Sequence, residues 1–371
     1  MPPALDPRSF HDTLDLAGRC ERTVRRLVRD LAVVARRAVD RVLEAQQLYE
    51  PPTTLPLLGN TLDVMVYHKH HLHDWFTEQC LAAGVGPWVL RIFGRPPTLI
   101  LTSHTEIEDV FKTQFEVFER GPDMRALIDA FFGEGILAVD GDKWLQQRRT
   151  ASHLFSTQML RDVMDAVAIE KTLQLRDVLA GARQQKPVSM KSLLAKLSSD
   201  VFTKVGLGVD LNVEIMGVSL ADKASAIDGS KMRRDLLTLF LETSDGAVDV
   251  TTVREVVVNF FLAGKDTTAF RLPWMLVNLN RYPEVLDKIR DEMKANLPTL
   301  PSGELEEPSM TDLQKLPYLE DTIVLTVLLS RFDIKTVQDP FEITYAFSAV
   351  IAVKGPLFAT VSDYGGLSSC K

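Results

Sequence analysis

The spacing of apolar and polar residues along the chain predicts a mainly helical protein. Apolar positions recur with helical periodicity in the segments 105–113, 142–155, 158–180, 189–206, 233–243, 251–279 and 282–296. The first half of segment 251–279 is apolar nearly all round, which is typical of a helix that runs through a hydrophobic core.

Two short regions have the pattern of β-structure instead. Segments 88–93 and 98–102 are rich in apolar and β-branched residues, and a Gly-Arg-Pro-Pro turn separates them. Segments 341–347 and 349–353 form a second strand-like pair near the end of the chain. The predicted fold class is therefore mainly α with small β-hairpins.

A proline-rich elbow divides the chain into an arm and a body. Segment 51–60 contains three prolines and a glycine, which favours a semi-rigid connection. Residues 1–50 before it form a basic amphipathic arm, in which the arginines between 19 and 29 alternate with apolar residues. Such a helix either lies on an anionic membrane surface or packs one face on the body. The body, residues 51–371, is expected to be a single domain.

Composition and charge narrow the function classes. A net charge of -8 provides no basic surplus to neutralise phosphates, so nucleic-acid binding is not expected. The cysteines Cys20, Cys80 and Cys370 are scattered, which predicts neither a disulfide framework nor a zinc site. No apolar run reaches the roughly 18 residues that a membrane-spanning helix needs.

Four histidines lie close together at 68, 70, 71 and 73. Helical spacing would place two of them on one face, where they could bind a metal. A polar helix face is the favoured interpretation, because the segment lacks a complete set of ligands.

The segment 263–268, Ala-Gly-Lys-Asp-Thr-Thr, is the most informative stretch of the chain. Poor helix formers interrupt an apolar helix here, at a place where good helix formers would be expected. A threonine hydroxyl can bond the carbonyl four residues back, and small residues allow a flat ligand to approach the backbone. Asp266 beside Thr267 is a reasonable proton-relay pair. On composition alone, a kinked core helix with a satisfied polar patch explains the same residues.

A second motif places Trp144 and Arg148 four residues apart, on one face of a predicted helix. An indole N–H and a guanidinium fork suit a planar carboxylate such as a porphyrin propionate. An ordinary capped helix with a buried tryptophan is the alternative.

In their order and separation along the chain, Trp144 and Arg148 followed by segment 263–268, the two motifs resemble the cytochrome P450 family. The elbow at 51–59, the hairpin at 88–102 and the segments 131–141, 150–156 and 281–285 also resemble it, most closely in the fatty-acid ω-hydroxylase branch. The resemblance covers residues from about 50 to 322, with gaps. It implies an incomplete cytochrome P450 fold.

The resemblance also implies roles for individual residues. Trp144 and Arg148 would bond a heme propionate, and Ala263 and Gly264 would form the groove where oxygen sits. Asp266 and Thr267 would deliver protons for oxygen activation, while segment 131–137 would contribute to substrate contact.

The implied activity is hydroxylation of fatty acids or similar lipids by heme, molecular oxygen and electrons from an NADPH-cytochrome reductase. The implied location is the cytosolic side of the endoplasmic reticulum membrane, although the lack of a predicted membrane span also allows a cytoplasmic protein.

The chain departs from the family in its cofactor-binding stretch. The family's Phe-x-x-Gly-x-Arg-x-Cys-x-Gly loop, whose cysteine binds the iron, has no match here, and Cys370 lacks its context. Leu325 and Leu328 stand where the family's Glu-x-x-Arg pair would fall. Segment 323–333 resembles instead the final helix, which follows the cysteine loop.

These departures predict internal deletions near residues 215 and 322. They also predict that the chain as written lacks monooxygenase activity. A non-enzymatic remnant that binds a lipid or a partner is the alternative function.

Overall fold

The computed structural model describes residue 46 and residues 48–84, 86–154, 165–183, 186–207, 250–316, 323–346 and 350–365. The basic arm at 19–43, the predicted helix at 233–243 and Cys370 lie outside these residues. The chain divides into two compact units, the first ending at Phe118 and the second beginning at Glu119.

The first unit is built around tryptophans. Its elements are helices α1 (Leu72–Ala82) and α2 (His104–Glu108), five-residue π-helical turns at Asp63–Tyr67 and Asp109–Thr113, and strands β1 (Trp88–Leu90) and β2 (Thr98–Ile100). The strands pair antiparallel with Trp88 opposite Ile100, which confirms the predicted hairpin, although each strand is shorter than its segment. Trp75 packs edge-on against Trp88, with ring centroids 6.0 Å apart.

The proline elbow is fixed onto this hairpin by its last two residues. Gly59 has a positive φ of 58°, and a Cβ there would lie 2.3 Å from the Arg91 carbonyl oxygen. The Asn60 amide donates to that same oxygen at 2.6 Å, and the Asn60 side chain accepts from the Arg91 amide. Glycine is therefore needed at position 59 because the two backbones touch.

Helices dominate the second unit. They are α3 (Gly121–Phe132), α4 (Gly141–Leu154), α5 (Ala166–Gly181), α6 (Met190–Leu207), α7 (Val250–Arg281), α8 (Pro283–Asn296), α9 (Thr299–Ser302), α10 (Met310–Leu313) and α11 (Ile323–Arg331). Helices α4, α6, α7 and α8 confirm predicted segments to within about two residues at each end. Helix α3 occupies a stretch for which the periodicity predicts no helix.

Two small antiparallel sheets complete this unit. Strand β7 (Phe358–Asp363) lies between β3 (Val188–Ser189) and β4 (Phe332–Thr336), and β5 (Tyr345–Ala346) pairs with β6 (Ala352–Val353). The prediction of a helix over 323–333 is wrong at its end, because α11 stops at Arg331 and Phe332 begins β4. Phe332 lies three and four residues after the apolar Leu329 and Leu328, so helical periodicity continues past the last residue of the helix.

Helices α5, α6, α7 and α11 pack together as a bundle, and α6 against α7 is its largest contact. The bundle core includes Leu175, Leu194, Leu276 and Leu328, each at most 2% exposed. An ion pair also joins α5 to α6, where Lys204 Nζ lies 2.7 Å from a Glu170 carboxylate oxygen. Because these leucines are fully buried, apolar burial, the dominant favourable term in folding, is the main source of the bundle's stability.

No helix among the described residues combines the length and apolar character needed to cross a bilayer.

Replacing Leu328 with alanine tests the bundle core. The Leu328 side chain is fully buried between helices, so Leu328→Ala should lower the free energy of unfolding by about 2–5 kcal/mol. The measurement is urea-induced unfolding followed by circular dichroism. Leu127→Ala is the control, because that leucine is 59% exposed. Equal losses for the two variants would contradict this assignment of the core.

Candidate functional site

The segment 263–268 lies in the middle of helix α7, with Thr267 turned back onto the helix. The Thr267 hydroxyl donates to the Ala263 carbonyl at 2.8 Å, the bond expected for a threonine inside a helix. Both Ala263 and Thr267 are exposed. The stripe of α7 that carries them is therefore open to solvent.

Asp266 is paired with its neighbour along the chain. Lys265 Nζ lies 3.6 Å from an Asp266 carboxylate oxygen and 5.2 Å from the centre of the Phe261 ring. Asp266 is half-buried, and its side chain leaves the helix about 100° away from that of Thr267. The acid and the hydroxyl thus occupy adjacent stripes of one helix.

Gly264 faces helix α6 and makes room for an aromatic ring. A Cβ on Gly264 would lie 2.1 Å from Cε2 of Phe202, a separation that real side chains do not tolerate. The Phe202 ring also packs edge-on against Phe261, with centroids 5.8 Å apart. In this structure the space left by the missing side chain of Gly264 is filled by Phe202.

Asn259, one turn earlier on α7, holds the segment that follows helix α3. Its side-chain amide donates to the Phe132 carbonyl at 3.0 Å and to the Glu255 carbonyl at 2.7 Å, and its oxygen accepts from the Leu137 amide at 3.3 Å. Asn259 is 1% exposed. A Cβ on Gly135 would lie 2.0 Å from the side-chain amide nitrogen of Asn259. Segment 133–137, which overlaps the predicted substrate-contact stretch, is therefore fastened to the same helix as Asp266 and Thr267.

Sequence reasoning missed both Asn259 and Phe202. A lone asparagine between Val258 and Phe260 in an apolar helix is a signal for the first, since a buried amide needs partners. Phe202 gives no such signal, because any apolar residue suits a helix that faces the core.

Trp144 and Arg148 share one face of α4, as predicted, with Trp144 half-buried and Arg148 exposed. Lys143 on the same helix pairs with Glu134, and its hydrogen bond holds the pKa of the Glu134 carboxyl below the usual value. Among the described residues, α4 has no extensive packing contact with α7. The structure therefore brings Ala263, Gly264, Asp266 and Thr267 together but leaves Trp144 and Arg148 on a separate helix.

The histidine cluster does not form a metal site in the described part of the chain. His68 follows the first π-helical turn and stacks on Trp75, whereas His71 precedes α1 and lies 3.7 Å from the Asp74 carboxylate. No group of three metal-binding side chains is found in the described ranges.

The described residues do not fit a thiolate-bound heme. Of the three cysteines, the described residues include Cys80, whose Sγ accepts a hydrogen bond from the Trp88 indole at 3.3 Å in the first unit. Leu325 and Leu328, at the positions of the expected Glu-x-x-Arg pair, are 3% and 0% exposed. The sequence lacks the cysteine loop, and the described residues of the second unit contain no cysteine that could bind iron beside Ala263 and Thr267.

Replacing Asn259 with leucine tests the clamp on segment 133–137. Asn259→Leu keeps the approximate volume but removes the partners of the Phe132 carbonyl and the Leu137 amide, each at a cost of about 1–3 kcal/mol. Amide hydrogen exchange at Leu137 should accelerate by about tenfold or more. Asn278→Leu, on the exposed side of the same helix, should leave it unchanged. An unaltered rate at Leu137 in the Asn259 variant would refute the clamp.

Comparison with known proteins gives the same family as the motifs. The family model for cytochrome P450 matches residues 50–217 and 214–326. Similar relatives include cytochrome P450 704B1 of Arabidopsis thaliana, 24% identical over 314 residues, and cytochrome P450 94B1 of the same plant, 27% identical over 304 residues. Each alignment covers 66% of this chain and 59% of the relative. The chain thus spans about three fifths of the length of these relatives, and it belongs to the cytochrome P450 family, whose cofactor is heme.

Proposed function

We propose that this chain comes from a monooxygenase that hydroxylates fatty acids or similar lipids, and that the chain as given is not catalytic. Family membership supports the reaction class, and the resemblance to the ω-hydroxylase branch supports the substrate class. The absence of the iron-binding loop carries the second half of the proposal.

The proposed roles of the site residues follow the family pattern, within the geometry of this chain. In an intact enzyme Trp144 and Arg148 would hold a heme propionate, and heme would supply the oxidising chemistry. Asp266 and Thr267 would hold and transfer protons beside the groove at Ala263 and Gly264. In this chain the Thr267 hydroxyl is bonded to the Ala263 carbonyl, and Lys265 pairs with Asp266.

The join between α10 and α11 supports an internal loss rather than a shortened end. Helix α7, which carries the oxygen-site motif, precedes the join, whereas α11 and strand β4 follow it within the same bundle and sheet. The family model matches two stretches that overlap at 214–217, which supports the other proposed loss, near residue 215. We place the missing cysteine loop and Glu-x-x-Arg pair between Thr322 and Ile323, where the sequence resembles the family on both sides.

The remaining partners follow from the family. A reductase would supply electrons to the intact enzyme, and the endoplasmic reticulum membrane surface is its proposed location. A non-enzymatic role in binding a lipid or a partner is the second candidate for this chain, and an apolar cavity beside Gly264 supports it.

The spectrum of the reduced protein with carbon monoxide tests whether the chain is catalytic. Protein expressed with a heme precursor and then purified should show no red-shifted band from a thiolate-ligated heme, because the thiolate loop is missing. Cytochrome P450 94B1 prepared in the same way serves as the positive control. A red-shifted band from this chain would overturn the proposal.

The gene itself tests the internal loss. Genomic sequence between the codons of Thr322 and Ile323 should encode a Glu-x-x-Arg pair and the cysteine loop if the chain is a mispredicted splice form rather than the product of an internally deleted gene. An interval that encodes neither the Glu-x-x-Arg pair nor the cysteine loop would contradict the splicing explanation.

A further inference from the structure

An apolar cavity lies inside the helix bundle, next to the stripe of α7 that carries Ala263 and Thr267. Its volume is about 320 Å³, and its lining comes from α5, α6, α7 and α11 and from Asp165, just before α5. On α7, Gly264, Thr268 and Leu272 face it at successive turns, one residue away from the Ala263–Thr267 stripe.

The cavity has a buried floor and an open side. Leu197 and Val205 of α6 and Leu272 of α7 are at most 4% exposed, whereas Thr268 is exposed. Leu272 belongs to the main hydrophobic core. A ligand could therefore enter near Thr268 and reach the centre of the bundle.

The lining determines which ligand chemistry fits. The Ser198 hydroxyl already donates to the Lys265 carbonyl at 2.6 Å. Among the described lining residues Asp165 is the ionisable one, and none of them is a lysine, arginine or histidine. A carboxylate head group would lose its hydration here with no described cation to pair with, which is costly. An uncharged apolar ligand avoids that cost.

The size of the cavity limits the ligand further. Small-molecule pockets in proteins range from roughly 300 to 1,000 Å³, so a cavity of about 320 Å³ suits a small molecule. The floor lies between packed helices, where a small molecule fits better than a second copy of the chain. Apolar cavities in proteins can take up small apolar molecules.

We infer that this cavity is a binding site for a small uncharged apolar molecule, such as a medium-chain alcohol, and that it works without heme. The inference rests on the second candidate function, ligand binding by a non-enzymatic chain, and narrows it from lipids in general to neutral ones. The carbon monoxide spectrum and the binding experiment below can therefore fail independently.

Fluorescence of N-phenyl-1-naphthylamine, a neutral probe that brightens in apolar surroundings, tests the site on heme-free protein. The probe should bind saturably and be displaced by 1-decanol. Decanoate above neutral pH should need at least about tenfold higher concentrations, a difference of about 1.4 kcal/mol. Absence of saturable binding, or equal displacement by the two ligands, would overturn the inference.

A larger side chain on α6 that fills the cavity tests whether the probe binds there. Val201 lines the cavity and is half-buried, so Val201→Phe should weaken probe binding by about tenfold or more. Leu193→Phe is the matched control, because Leu193 is half-buried on the same helix but packs on the core outside the cavity. Unchanged probe affinity in Val201→Phe would place the binding elsewhere and refute the site.

Val201→Ala tests the same site if the larger side chain prevents folding, as judged by circular dichroism. Removing two methyl groups enlarges the cavity, so the preference should shift from 1-decanol toward 1-dodecanol. An unchanged preference would contradict the proposed position of the ligand.

Discussion

The contact between helices α6 and α7 is the constraint on which the rest of the second unit depends. Gly264 lets the Phe202 ring lie directly against the backbone of α7. The Ser198 hydroxyl bonds the next carbonyl along that helix. This close approach sets the direction of α7, and with it the positions of Asn259, Asp266 and Thr267. Segment 133–137 then follows because Asn259 fastens it to α7.

Periodicity predicts the helices well, and the reason is visible in the bundle. Each long helix buries one stripe, so the apolar residues of α5 and α6 recur at helical spacing. The method fails at the junction of α11 and β4, where Phe332 lies at helical spacing from Leu328 and Leu329 but pairs with β7 as the first residue of a strand. The pairing of strand β7 with β3 and β4 cannot be predicted from periodicity, because these strands are distant along the chain.

The candidate site was predictable in part. The order of residues in 263–268 indicates the family, and the family model matches most of the chain. The packing role of Gly264 could not be predicted, because it depends on Phe202 in another helix. At Leu325 and Leu328 the sequence and the structure agree. The sequence lacks the family's Glu-x-x-Arg pair at these positions, and both leucines are buried in the hydrophobic core.

The close approach of α6 and α7 is tested most directly by a double-mutant cycle on unfolding free energy. In an unconstrained helix, Gly264→Ala should stabilise by about 1 kcal/mol through helix propensity alone. Against the Phe202 ring we expect a net loss instead, since overpacking costs about 1–3 kcal/mol. Phe202→Leu should remove most of that loss. Stabilisation by Gly264→Ala in the unmodified background, or additive effects of the two substitutions, would contradict the account.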